Sequence, residues 1–138
     1  MKSKRLLKFY FFSDNLNSAL DNLIIQTALD SMNCERGGEY YAEKICALSG
    51  VKCSLAELWN YLDNVMRGLT EGETAALKYY GAVRHGLSVI PENARKAIKR
   101  AAVKFSRRAR FIYRYRRGIE LVNRYYCLIS AENPFTRD

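Results

Sequence analysis

Catalysis depends on a few reactive side chains brought together, and this sequence holds few of them. His85 is the single histidine. An imidazole is the side chain best suited to carry a proton near neutral pH, but His85 stands beside Gly86 at an expected helix end, where a cap or surface role suits it. Glu39 and Glu43 lie one helical turn apart and could chelate a cation. Without partner histidines, and with Lys44 adjacent, they read instead as a solvated face. The four cysteines, Cys34, Cys46, Cys53 and Cys127, include no CxxC pair, so the closely spaced thiolates that a structural zinc site draws on are lacking. Cys46 and Cys127 sit among apolar neighbours and are expected to be buried as small apolar residues. Cys34 and Cys53 are expected near helix ends and partly exposed. No P-loop, GxGxxG or HExxH pattern occurs. A nucleophile with an activating base, convergent carboxylates or a metal would each support catalysis, and none is legible. The expectation is a protein with no enzymatic activity, no cofactor and no metal.

Cationic charge is where the sequence is distinctive. The chain carries a net +9, and its distribution matters more than its size. Met1 to Leu69 balances eight basic residues against eight acidic ones, and Thr70 to Ile90 balances two against two. Pro91 to Arg117 holds eleven Lys and Arg residues against Glu92 alone, a net +10. The candidate nucleic-acid-binding residues are Arg95, Lys96, Lys99, Arg100, Lys104, Arg107, Arg108, Arg110, Arg114 and Arg117. At 100° per residue from Ile98, most of them fall on the half of a helix opposite its apolar stripe. Like charges at helical spacing repel by a few tenths of a kcal/mol per pair, so a face without interspersed glutamates points to a polyanionic partner. The arginine fork suits phosphate oxygens. Tyr113 and Tyr115 flank Arg114 and could stack on unpaired bases, although a spacing of two puts them on different faces and sends at least one toward the core. DNA or RNA is therefore the expected partner.

The elements that must position these residues are helical. Leu16, Leu20, Leu23, Ile24, Thr27, Ala28 and Met32 recur at intervals of three and four, predicting a helix from Asn15 to Met32 capped by Ser13 or Asp14. Residues 6 to 12 fit either a helix or a short strand. Asn33 to Gly38 reads as a turn because two adjacent glycines disfavour a helix interior. A short helix over Glu39 to Leu48 is expected to stop at Gly50. Ser54-Leu55-Ala56-Glu57 reads as a capping box that starts a further helix running to Gly68. Thr70-Glu71-Gly72-Glu73 is a second such box, opening a helix that ends near Gly86. The last helix opens at Pro91, whose missing N–H is harmless in a first turn. Its apolar residues recur at sevens: Ile98, Phe105, Ile112, Ile119 and Tyr126. Unbroken to Ile129 it would extend about 58 Å, too long for a compact domain of this size. A bend or break near Gly118 is expected, since glycine is a weak helix former; the alternative is an unbroken helix that projects and pairs with a second chain.

The stretch Leu69-Thr70-Glu71-Gly72-Glu73-Thr74-Ala75-Ala76-Leu77-Lys78-Tyr79-Tyr80 resembles the opening of the C-terminal DNA-binding region of bacterial sigma factors and related phage regulators. The resemblance covers about a dozen residues. It implies a helix-turn-helix in which the helix beginning at Pro91 faces a DNA groove with Asn93, Arg95, Lys96 and Lys99. The chain departs from that pattern between Tyr80 and Pro91, where there is no room for an intervening helix followed by a Leu-Gly turn.

Together these readings predict an all-α, single-domain bundle of about five helices over residues 1–138, with a long basic amphipathic C-terminal helix. The segments Leu16 to Met32, Leu55 to Met66 and Ala76 to Val83 would cover its apolar side. The expected function is nucleic-acid binding, as in a small transcriptional regulator. The alternative is an interaction module that forms a homodimer, or docks an acidic partner, through the C-terminal helix. The apolar piece from Leu6 to Phe12 is interrupted by Lys8 and is too short for a signal or membrane-spanning segment. A cytoplasmic protein without a membrane partner is expected.

Overall fold

A computed structural model describes residues 3–33, 38–82 and 92–130. Among these residues the protein is an all-α bundle. Helix α1 (Ser3–Met32) and helix α2 (Gly38–Arg67) are followed by α3 (Glu71–Ala82) and α4 (Glu92–Arg108). A short 3₁₀ turn (Ile112–Tyr115) then leads to α5 (Arg116–Arg124) and α6 (Tyr126–Ser130). None of the described helices is long and apolar enough to cross a membrane.

Helices α1 and α2 form an antiparallel hairpin. Asp21 pairs with Lys52, while Tyr10 reaches Asp63 and Trp59, so positions meet in reverse order along the two helices. The ambiguous segment 6–12 is helical and continuous with the predicted helix. Ser13 and Asp14 lie inside α1 and do not begin it; the chain only kinks, at Phe12 (φ −125°, ψ 26°). The indole N–H of Trp59 donates to the Tyr10 carbonyl at 2.9 Å, and a side chain inserted at the backbone ladder is a known cause of a kink. The Trp59 ring also stacks on Tyr10 at 5.3 Å. Burial pushes the Tyr10 phenol up to about 12, helped by its 2.7 Å hydrogen bond to Asp63.

The expected stop at Gly50 and restart at Ser54 do not occur, because α2 passes straight through both. Val51, Leu55, Leu58, Leu62 and Val65 are buried at intervals of three and four across these positions. Burying that stripe outweighs a local cost of about 1 kcal/mol for one glycine. The second capping box forms as expected. The Thr70 N–H donates to Glu73 Oε1 at 2.9 Å, and the Glu73 N–H to Thr70 Oγ1 at 3.2 Å. The backbone N–H of Thr70 and the ammonium of Lys104 hold the Glu73 carboxyl below its ordinary value.

The core joins Leu6, Leu7, Phe9, Leu16 and Leu20 of α1 to the α2 stripe, Leu77, Phe105, Leu121, Val122 and Ile129. The packing around the C-terminal region differs from expectation in two ways. Helix α4 packs mainly on α3, with α2 beside it, while α1 packs on α2, α3, α5 and α6. The far half of α1 also leaves the core: Leu23, Ile25, Leu29 and Met32 are 43%, 57%, 48% and 81% exposed. In the described part of the hairpin beyond Leu20 and before Val51, only Thr27 and Tyr41 are buried.

The C-terminal helix does break, but ahead of Gly118. Regular α-helix ends at Arg108, and the turn closes through Ile112 N–H to Ala109 O and Arg114 N–H to Phe111 O, both 3.1 Å. Phe111, Ile112, Tyr113 and Tyr115 are aromatic or β-branched and favour helix poorly. Gly118 lies inside α5, buried against α2, where a Cβ would come within 2.9 Å of the Leu58 Cβ and 3.1 Å of the Ser54 carbonyl oxygen. It permits a close helix approach and makes no bend. Cys34, His85, Gly86 and Pro91, each of which has a role in the sequence reading, lie outside the described residues. Cys46 and Cys127 are exposed, as is Cys53, so the expected burial of the first two is wrong: both sit on outer faces of their helices.

Candidate nucleic-acid interface

Helix α4 presents its cations in the order its periodicity demands. Ile98, Ala101 and Phe105 are buried. Lys96, Lys99, Arg100 and Arg107 point away from them and are exposed, and none has an ion-pair or hydrogen-bond partner among the described residues. At 17 residues this helix is about 25 Å long. Val103, 52% exposed, lies amid these cations, and together with Lys99, Arg100, Lys104 and Arg107 it lines a shallow depression.

The edges of the face are tied into the fold. The Lys104 ammonium lies 3.0 Å from Glu73 Oε1 and so fastens α4 to the cap of α3. Arg108 Nε donates to the Val65 carbonyl at 3.1 Å in the last turn of α2, where a basic group also complements the negative helix end. Its guanidinium fills the space above Gly68, where any Cβ would overlap it. Arg117 lies 3.8 Å from Glu120 on the same helix. Arg95 is exposed in the first turns of α4. Of the ten candidates, Lys96, Lys99, Arg100 and Arg107 thus share one face with no partner among the described residues, while Lys104, Arg108 and Arg117 carry acidic or carbonyl partners.

Arg110 and Arg114 belong to a second cluster at the turn after α4. Each places its guanidinium carbon 4.7 Å from the centroid of the Phe111 ring, in range for cation–π attraction. Phe111 is 37% and Tyr113 60% exposed, with ring centroids 6.4 Å apart. Tyr115 turns the other way and stacks on Tyr61 at 4.8 Å. Of the two tyrosines flanking Arg114, only Tyr113 is therefore displayed. Phe111 is not among the sequence candidates, though its place in an arginine-rich run of poor helix formers is a readable signal.

Glu39 and Glu43 are exposed on the first turns of α2. Among the described residues no three His, Cys, Asp or Glu side chains cluster so as to hold a metal ion. A cleft of about 260 Å³ at the α1 kink is lined by Ser13, Asp14, Asn17, Trp59 and Asn60 with apolar neighbours, and Asp14 is its sole titratable carboxylate. No protein-family model, curated protein or solved structure matches the chain.

Proposed function

We propose that this is a non-catalytic nucleic-acid-binding protein, of the build of a small regulator, that holds phosphates on the outer face of α4. The observation carrying this reading is the set of Lys96, Lys99, Arg100 and Arg107, exposed on one helical face without an acidic partner among the described residues. A fold uses cations as Lys104 and Arg108 are used, against Glu73 and the Val65 carbonyl. Four together without such partners among the described residues raise the local positive potential and favour a polyanion.

With Arg110 and Arg114 the surface offers six cations to a phosphate backbone. Displacing six counterions gives a slope of log affinity against log salt of about −5 on duplex DNA and about −4 on a single strand. Binding is measured by fluorescence anisotropy over a salt series for the wild type and for Arg100→Glu combined with Arg107→Glu. These exposed changes leave the core intact, and the expected result is weaker binding with a slope shallower by about 2. Absence of binding at low salt, or an unchanged slope in the variant, would overturn the reading.

A second reading, self-association, is favoured by a surface other than the C-terminal helix expected for it. Ile112 and Ile119 are half-buried against the core, whereas Ile25, Leu29 and Met32 form an exposed apolar edge on α1. A contiguous apolar edge of that kind marks an interaction surface. Mass in solution tests it: a dimer that Leu29→Asp converts to monomer supports self-association, and a monomeric wild type removes it.

A further inference from the structure

We propose that the turn between α4 and α5 is a stacking site for unpaired bases, and that the nucleic acid bound is therefore single-stranded. This deepens the phosphate-binding reading and rests on it. The turn displays two aromatic rings beside the basic helix, Phe111 and Tyr113, 37% and 60% exposed. The guanidinium groups of Arg110 and Arg114 gather on Phe111. Bases in single strands stack on aromatic rings and on guanidinium planes, and this cluster supplies both kinds of surface within one turn. The same arginines extend the α4 cations, so phosphates bound along the helix would lead the strand onto the rings.

The platform is held from below. The Phe111 N–H donates to the Tyr61 hydroxyl at 3.1 Å, and the Tyr61 ring in turn carries Tyr115 at 4.8 Å. The backbone bonds from Ile112 to Ala109 and from Arg114 to Phe111 close the turn on itself. The fold thus fixes Tyr115 inward and Phe111 outward in one short stretch. Duplex binding through phosphates makes no use of such rings, because paired bases present their edges and not their faces.

The experiment compares full-length protein on fluorescent oligouridylate and oligothymidylate of about 16 nucleotides, the upper end of single-strand site sizes, with a duplex of similar phosphate number and with inorganic polyphosphate as a base-free polyanion. The wild type is expected to bind both single strands more tightly than the duplex. Tyr113→Ala and Phe111→Ala are each expected to lose from about fivefold to about a hundredfold on single strands, with little change on duplex or polyphosphate, while Tyr113→Phe retains binding. Circular dichroism and Trp59 fluorescence verify that each variant folds. Uridylate against thymidylate separates RNA from DNA as the source of the strand. Equal binding of all polyanions, with both ring variants unchanged, overturns the stacking site alone. Loss of equal size on polyphosphate also overturns it. Failure of the wild type to bind even polyphosphate overturns the phosphate reading with it.

Discussion

Two glycines inside helices should respond oppositely to the same methyl group. At Gly118 an added Cβ would lie 2.9 Å from Leu58 Cβ, 3.1 Å from Ser54 O and 3.3 Å from Leu58 Cδ2. The first two atoms belong to the body of α2 and not to a flexible side-chain tip, so α5 itself must move back. Overpacking of this kind costs about 1–3 kcal/mol, and the better helix propensity of alanine returns about 1 kcal/mol. Gly118→Ala should therefore lose about 1 kcal/mol on balance. At Gly50 nothing lies within 4 Å of the same position, and Gly50→Ala should gain about 0.5–1 kcal/mol. For a chain of this length about 1 kcal/mol shifts Tm by about 4 °C. Thermal unfolding followed by far-UV circular dichroism, and urea unfolding followed by the fluorescence of Trp59, the single tryptophan, would measure both. A Gly118→Ala protein as stable as Gly50→Ala would refute the close crossing of α5 over α2.

Arg107→Ala should weaken nucleic-acid binding and flatten its salt slope by about 1 while leaving stability within about 0.5 kcal/mol. Its neighbour Arg108→Ala should do the reverse, losing about 1 kcal/mol with the Val65 hydrogen bond and changing binding less, as paired unfolding and anisotropy measurements would show. The Tyr10 phenol, pushed up to about 12 by burial and then by Asp63, keeps its proton in the folded chain at pH values where the unfolded chain, near 10, has lost it. The Tyr10 contribution to stability should therefore be intact below about pH 10 and be lost as pH rises toward about 12, so that urea midpoints of Tyr10→Phe fall less steeply than those of the wild type across that range.

The two capping boxes show what a sequence pattern can and cannot carry. Thr70 to Glu73 and Ser54 to Glu57 share one pattern, but only the first begins a helix. Gly68 and the end of the α2 stripe precede Thr70, whereas Val51 and Leu55 keep the buried register running across Ser54. Helical periodicity locates the elements, but the choice between one long helix and two short ones lies in tertiary burial. The bend in the C-terminal region is legible from length; its position is not, because a glycine serves close packing as readily as it weakens a helix, and Gly118 does the former. The basic face is legible from charge counting. Which cations the fold itself uses is not, since Glu73 and the Val65 carbonyl come from other helices. The exposure of Leu23, Leu29 and Met32 is equally hidden, because an apolar stripe does not reveal whether anything lies opposite it. Phe111 escapes notice because a buried aromatic is the ordinary expectation, and only the turn at the end of α4 directs it outward.

The way α5 and α6 return to α1 bears on how the chain comes to be folded during its synthesis. Arg5 hydrogen-bonds Asn123, 118 positions later, at 3.3 Å, and its guanidinium and the Lys8 ammonium lie 4.9 Å and 5.9 Å from the Tyr126 ring. The backbone of Leu7 and Lys8 also lies against Gly81 of α3. At ribosomal rates of about 5–20 residues per second, those 118 positions take about 6–24 s to make. Throughout that interval the first turns of α1, with Leu6, Leu7 and Phe9, lack part of their shelter, even after Gly81 of α3 has been made. The hairpin with α2 can close early, but the first turns of α1 are sealed only when α6 arrives, which leaves a nascent chain stalled before Tyr126 with an open, sticky end.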